Sequence, residues 1–277
     1  MRPTSAAALA ATTGQWTSLL ASGPRRGLPP ARELFAVADL LTGHPRLASA
    51  LTDTGRSATD RAELLRDLLA ARVAAAELSP EVLDLLTGLV RHRWAEPADL
   101  AAACETLGRT TVLFDAQLTD QLDDVERELL ALLDVLDGSA ELRQALVNTR
   151  DYTTAQRVGL FEHLCGAQLT EHTRTLVTRA LTINGRRPLR AVLRELIDES
   201  AARRDELVAL VSSVVPLSPA QEARLAAALK RIYGTEVLLN VTVRPEIVGG
   251  LHIQVGQDVI DDTVGARLRT ARQILGQ

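Results

Sequence analysis

Cys165 and His163 stand two residues apart in "FEHLCGAQL", and a thiol near an imidazole is the pairing from which a nucleophile is made. The segment reads as helix, however, and residues two apart on a helix point in different directions. An ordinary helix face is therefore the reading, with a hydrolase or transferase using Cys165 or His163 as the alternative. His44, His92, His172 and His252 show no i, i+4 pairing of a zinc-protease helix, and Cys104 and Cys165 lack metal-ligand spacing. No metal and no cofactor is expected. Gly249 and Gly250 in "EIVGGLHIQVG" invite a phosphate. A phosphate loop needs Lys and Ser or Thr at a helix start, and a dinucleotide fingerprint needs three spaced glycines between strand and helix. Here more strand follows, so the pair is expected to permit a bulge or a close backbone approach. Asp123-Asp124 and Asp261-Asp262 face no partner carboxylate and read as helix-start charges. The basic run "GRRPLR" from Gly185 reads as a solvated loop. No set of nucleophile, base and oxyanion donors emerges.

The 277 residues hold 46% hydrophobic and only 3% aromatic side chains, a composition suited to helix-on-helix packing. Lys and Arg number 31 against 35 Asp and Glu, for a net charge of −4. A nucleic-acid binder usually carries a basic excess, so none is expected as partner. Two distant cysteines fit a reducing compartment. No apolar run reaches the ~20 residues of a membrane helix, and the opening stretch lacks a signal-peptide core, so direct membrane insertion is not expected.

Up to about residue 205 the chain reads as helices written twice. "ELFAVADLLTGHPRLASALTDT" from Glu33 lies over "ELLALLDVLDGSAELRQALVNT" from Glu128 at constant shift, and "RAELLRDLL" from Arg61 lies over "RVGLFEHLC" from Arg157. Leu78, Leu85, Thr87 and Pro97 then match Leu169, Leu176, Thr178 and Pro188. Two copies are too few for a solenoid, so two bundles are expected, with Gly108 marking their boundary. Leu118, Leu122, Val125, Leu129, Leu132 and Leu136 form one apolar helical stripe. Asn184-Gly185 should stop one helix, and Pro97 and Pro188 should each open the next.

The texture changes at Leu207. "LVALVSSVV" reads as a strand. A helix follows with Ser218 as N-cap, Pro219 first and Gln221 closing a capping box; Leu225, Ala228, Leu229 and Ile232 face one way, and Gly234 ends it. "TEVLLNVTVR" and "IVGGLHIQV" read as a hairpin with one buried face, and Asp261 or Asp262 as cap of a last helix. The fold class is mainly α: two consecutive helical bundles, then a small α/β domain. The parts are 1–108, an additional bundle; 109–205, a second bundle; and 206–277, the α/β domain.

The C-terminal segments resemble the delta subunit of the F-type ATP synthase and the mitochondrial oligomycin-sensitivity-conferring protein. Pro216-Leu217, the helix to Gly234, Val248-Gly249-Gly250-Leu251, Gly256, Val259-Ile260-Asp261 and Leu268 carry the likeness by order and spacing. Residues 109–205 resemble the six-helix domain of that family, through "DDVERELLALLDVLDGSAELRQAL" and "NGRRPLRAVLRELIDE". The resemblance implies a non-catalytic peripheral-stalk subunit, held at the cytoplasmic face of the membrane through its complex. Its implied partners are the N-terminal helix of an alpha subunit and the b subunit; the alternative is a non-catalytic helical adaptor of another complex. It places a groove for the alpha helix between the first and fifth helices of the second bundle, with Val112, Leu113, Leu176, Val177 and Ala180 as candidates. Gly249, Gly250, Gly256 and Asp261 are then structural residues of the b-binding end. In the additional bundle, Leu85, Leu86, Leu89 and Val90 keep the apolar pattern of a second grip, on another alpha tail or on b.

Overall fold

The computed structural model describes residues 1–22, 27–72, 78–183, 187–204, 207–234, 237–243, 250–255 and 258–261. In chain order the helices are α1 (Pro3–Ser22), α2 (Pro29–Gly43), α3 (Pro45–Thr52), α4 (Ala58–Arg72), α5 (Pro80–Arg91), α6 (Pro97–Leu118), α7 (Leu122–Gly138), α8 (Ala140–Val147), α9 (Thr154–Leu164), α10 (Glu171–Ile183) and α11 (Leu189–Arg204). Then follow β1 (Leu207–Ser213), α12 (Pro219–Tyr233), β2 (Val237–Val243), β3 (Leu251–Val255) and β4 (Asp258–Asp261). Contacts divide the chain into two units, residues 1–17 with 25–201 and residues 18–24 with 202–277.

The duplication in sequence is a duplication of contacts. Glu33 on α2 accepts hydrogen bonds from the backbone N–H and hydroxyl of Ser79, at the start of α5. Glu128 on α7 accepts the same pair from Thr170, before α10. Arg61 on α4 is buried and its Nε donates to the Val90 carbonyl at 2.8 Å. Its counterpart Arg157 donates from Nη1 to the Leu181 carbonyl at 3.1 Å. These are carbonyls a helix end leaves unpaired, and a buried guanidinium with several donors is the group that satisfies them.

Gly108 does not interrupt the chain. It lies inside α6, a single 22-residue helix that starts at Pro97 and runs past the repeat boundary. Counting through the repeat, α6 is the last helix of the first copy and the first helix of the second. The break before α7 needs neither glycine nor proline: Asp120 takes φ +58°, a left-handed conformation that Asp tolerates better than most residues. Hence Leu118 ends α6, and the buried stripe of α7 begins at Leu122 and runs through Val125, Leu129, Leu132 and Leu136. The Asn184-Gly185 turn lies outside the described residues.

In the second unit α12 has the expected punctuation. Ser218 and Gln221 form a capping box, Pro219 is the first helical residue, and Gly234 closes the helix at φ +76°. The buried face differs in one place: Tyr233 packs with Leu225 and Leu229 against the sheet, whereas Ile232 is 66% exposed. The sheet order is β2-β1-β3-β4, which corrects the expected hairpin. β1 lies between β2 and β3, pairing with β2 in parallel and with β3 antiparallel. The cause is α12: a helix between two strands brings the second back parallel to the first, and β3 takes the other edge. The hairpin in the sheet is β3–β4, with Ile253 opposite Ile260. Asp261 sits at the end of β4 opposite His252, and the helix it is expected to cap lies outside the described residues. Gly250 has φ +86°, where any side chain is strained, and that accounts for this glycine. Gly249, Gly256, Asp262 and the last expected helix lie outside the described residues.

Candidate functional site

The five groove candidates come together, and all are interior. Val112 and Leu113 on α6 and Leu176, Val177 and Ala180 on α10 are each at most 1% exposed. They belong to one core with Leu122, Val125 and Leu129 of α7, and α2 of the first copy contributes Leu28, Ala31 and Phe35 to it. Leu85, Leu86, Leu89 and Val90 on α5 are likewise buried. Their apolar pattern is therefore accounted for by packing within the first copy.

α2 runs antiparallel to α6. Phe35 lies against Gly108, where an added Cβ would stand 2.4 Å from the ring, while Leu41 and Pro45 line a cleft with Pro97 and Ala101. Mid-helix glycine costs about 1 kcal/mol relative to alanine, and here it makes room for an aromatic ring. Arg179 of α10 fixes the arrangement. Its guanidinium donates to both oxygens of Asp39 on α2 at 2.6 and 3.0 Å, and to Glu105 on α6 at 2.6 and 2.8 Å. It also lies 4.9 Å over the Phe35 ring centroid. Burial pulls the Arg179 pKa down, but the hydrogen bonds to Asp39 and Glu105 outweigh it, so the net shift is upward and the charge is retained.

This outer face of α2 was not read from the sequence, although a signal existed. At the constant shift, Leu28, Ala31 and Phe35 lie over Asp123, Glu126 and Leu130. The first copy is apolar where the second is charged, and Leu130 is 44% exposed. An apolar residue whose repeat partner is solvated marks a contact that only one copy makes.

Two clefts flank α2. One, of 590 Å³, lies between α2 and α10 and is lined by Arg32, Ala36 and Asp39 on one side and Glu171, Arg174 and Thr178 on the other. The other, of 550 Å³, is floored by Ala38, Leu41, Ala48, Ala98 and Ala101. On the far side of α6, Arg109 reaches Glu195 at 3.4 Å and Glu199 at 3.0 Å on α11. Glu195 is held below its ordinary pKa, foremost by hydrogen bonds from Arg187 and further by Arg109. A depressed carboxylate stabilises the fold fully above its unfolded pKa and loses that contribution as pH falls through the folded one. Urea titrations of Glu195→Gln should thus show a flatter decline than the parent from about pH 4.5 downward; parallel curves would contradict the pairing. The effect is small because the pair is partly solvated.

Thiol chemistry is disfavoured by the same physics. Burial, reinforced by Glu105, pushes the Cys104 thiol up to about 12, and burial also raises Cys165. A nucleophile needs the opposite shift. At pH 8 a maleimide should label Cys165 slowly and Cys104 only after denaturation; rapid labelling of both in the native chain would refute this. Among the described residues no group of three His, Cys, Asp or Glu is arranged to hold a metal ion, and no helix is long and apolar enough to cross a membrane.

Residues 110–275 match the family model described as ATP synthase delta (OSCP) subunit. The chain is 39% identical over 275 residues to the ATP synthase subunit delta of Beutenbergia cavernae, covering 99% of each chain. It is 40% identical over 243 residues to that of Streptomyces avermitilis, covering 88% of this chain and 87% of the relative. A chain of the Toxoplasma gondii mitochondrial ATP synthase hexamer aligns with 61% of this chain and 95% of its own, at 21% identity and a TM-score of 0.28, too loosely to carry an argument. A match through both helical copies and the α/β unit, at this identity, places the chain in the ATP synthase delta (OSCP) subunit family.

Proposed function

We propose that the chain is a non-catalytic stator subunit joining the head of the ATP synthase to its peripheral stalk. The helical unit holds the N-terminal helix of an alpha subunit, and the α/β unit holds the b subunit. The chain stays at the cytoplasmic face of the membrane through this complex. The observation that carries the reading is the agreement, over 99% of both chains, with a subunit named ATP synthase subunit delta. Two compact units give a linker two separate places of attachment. We take the additional copy, 1–108, as part of the alpha-binding side, because its α2 joins the core of 109–205.

We keep Val112, Leu113, Leu176, Val177 and Ala180 as residues of the proposed alpha-binding side, acting as the shared core that positions α6 and α10 rather than as a surface the docked helix touches. Their burial decides how the site is tested: an aspartate at Leu176 would place an unpaired charge in the core and unfold the unit. The test is calorimetric titration of the full chain, once with a peptide of the alpha N-terminal helix and once with the soluble part of b. Each should bind one-to-one without competing with the other. Attachment under load calls for nanomolar affinity, about −12 kcal/mol. A folded chain that binds neither would overturn the proposal.

A further inference from the structure

We propose that the two helical copies form one cooperative folding unit, so that neither opens without the other. Tandem domains joined by a linker usually move and unfold separately. Here no linker exists, because α6 belongs to both copies. It runs unbroken from Pro97 to Leu118. Its buried Leu100, Cys104 and Leu107 lie outside the core of the second copy, whereas Val112, Leu113 and Ala116, past Gly108, belong to that core. Unwinding α6 to release one copy would bare backbone groups that the other copy buries. The second tie is α2, which is buried on two faces. Leu34, Val37 and Leu41 take the repeat positions of Leu129, Leu132 and Leu136, the core stripe of α7. Leu28, Ala31 and Phe35 belong instead to the core of the second copy. Parting the copies would return both sides of that contact to water. The third tie is polar and buried. Trp16 on α1 is 1% exposed, and its Nε1 donates to the Thr111 hydroxyl at 2.8 Å. Arg179 on α10 donates to Asp39 on α2 and to Glu105 on α6. Separation would leave the indole N–H and the guanidinium short of acceptors. The exposed pair of Arg32 and Glu171, between α2 and α10, adds little to this. In a stator, load applied to either copy is then carried by both.

The test is pulsed amide exchange of the full chain along a urea titration. Mass spectrometry reads peptides of α5 for the first copy and of α9 for the second. Both should lose protection at one urea midpoint. Equal stabilities would also give coincidence, so the deciding variant is Leu51→Ala, which opens a cavity beneath α3 of the first copy. It should lower the midpoints of α5 and α9 by the same amount, about 1 M. Leu146→Ala on α8 should do the same from the second copy. If either variant does not fold, α5 and α9 should both exchange at once without urea. An α9 midpoint that stays within about 0.2 M of the parent in Leu51→Ala would overturn the proposal. So would an α9 that keeps its protection where α5 has lost it. The copies would then be two domains that share a helix and no cooperativity.

Discussion

Gly108→Val is expected to destabilise the helical unit by about 2–3 kcal/mol, the cost of overpacking a filled site. A Cβ at Gly108 would lie 2.4 and 2.7 Å from two carbons of the Phe35 ring, closer than any relaxed contact. The ring is wedged between two long helices, so relief requires α2 to lift from α6. For a unit of this size the thermal midpoint should fall by about 5–10 °C. Alanine gains back the helix propensity that glycine lacks, so its loss should be smaller. The contact is identified by coupling: Phe35→Ala costs about 3–5 kcal/mol by itself. In the double variant the two losses should fall short of their sum by more than 1 kcal/mol. Additive losses would mean that the two residues do not share a site.

Arg179→Leu should cost about 3 kcal/mol. Breaking a buried ion pair from one side typically costs 3–5 kcal/mol, because the remaining charge is left without a partner. Here the two acceptors differ. Glu105 is 17% exposed and would be stranded, whereas Asp39 is 46% exposed and can turn to water. That asymmetry sets the lower end of the range. Lysine keeps the charge but not the planar fork that engages two carboxylates at once, so Arg179→Lys should fall between parent and Leu. Denaturant midpoints of the three chains measure this directly. A loss under 0.5 kcal/mol for Arg179→Leu would show that α2 is not clasped there.

Much of the local structure was legible. The capping box of Ser218 and Gln221 and the left-handed Gly234 are punctuation marks whose geometry follows from residue type, and they hold. Pro97 opens a helix for the same reason. The repeat was legible because the same residues do the same work twice, as Glu33 and Glu128 do at the starts of α5 and α10. What stayed hidden are relations between elements. Periodicity shows that Leu176 and Val177 lie on an apolar face of α10, but not what lies against it. Alternation identifies β2 and β3 as strands, but neighbours in a sheet depend on the path of α12. Gly108 read as a boundary because glycine often ends elements; within α6 it serves the ring of Phe35 on another helix.

The most direct test of the stator role is to mix the isolated catalytic head with the soluble part of b, with and without this chain, and to weigh the complexes by sedimentation. Head and b should co-sediment only when the chain is present, in a one-to-one-to-one complex. Co-sedimentation that is the same without the chain, or a folded chain that joins neither component, would contradict the role.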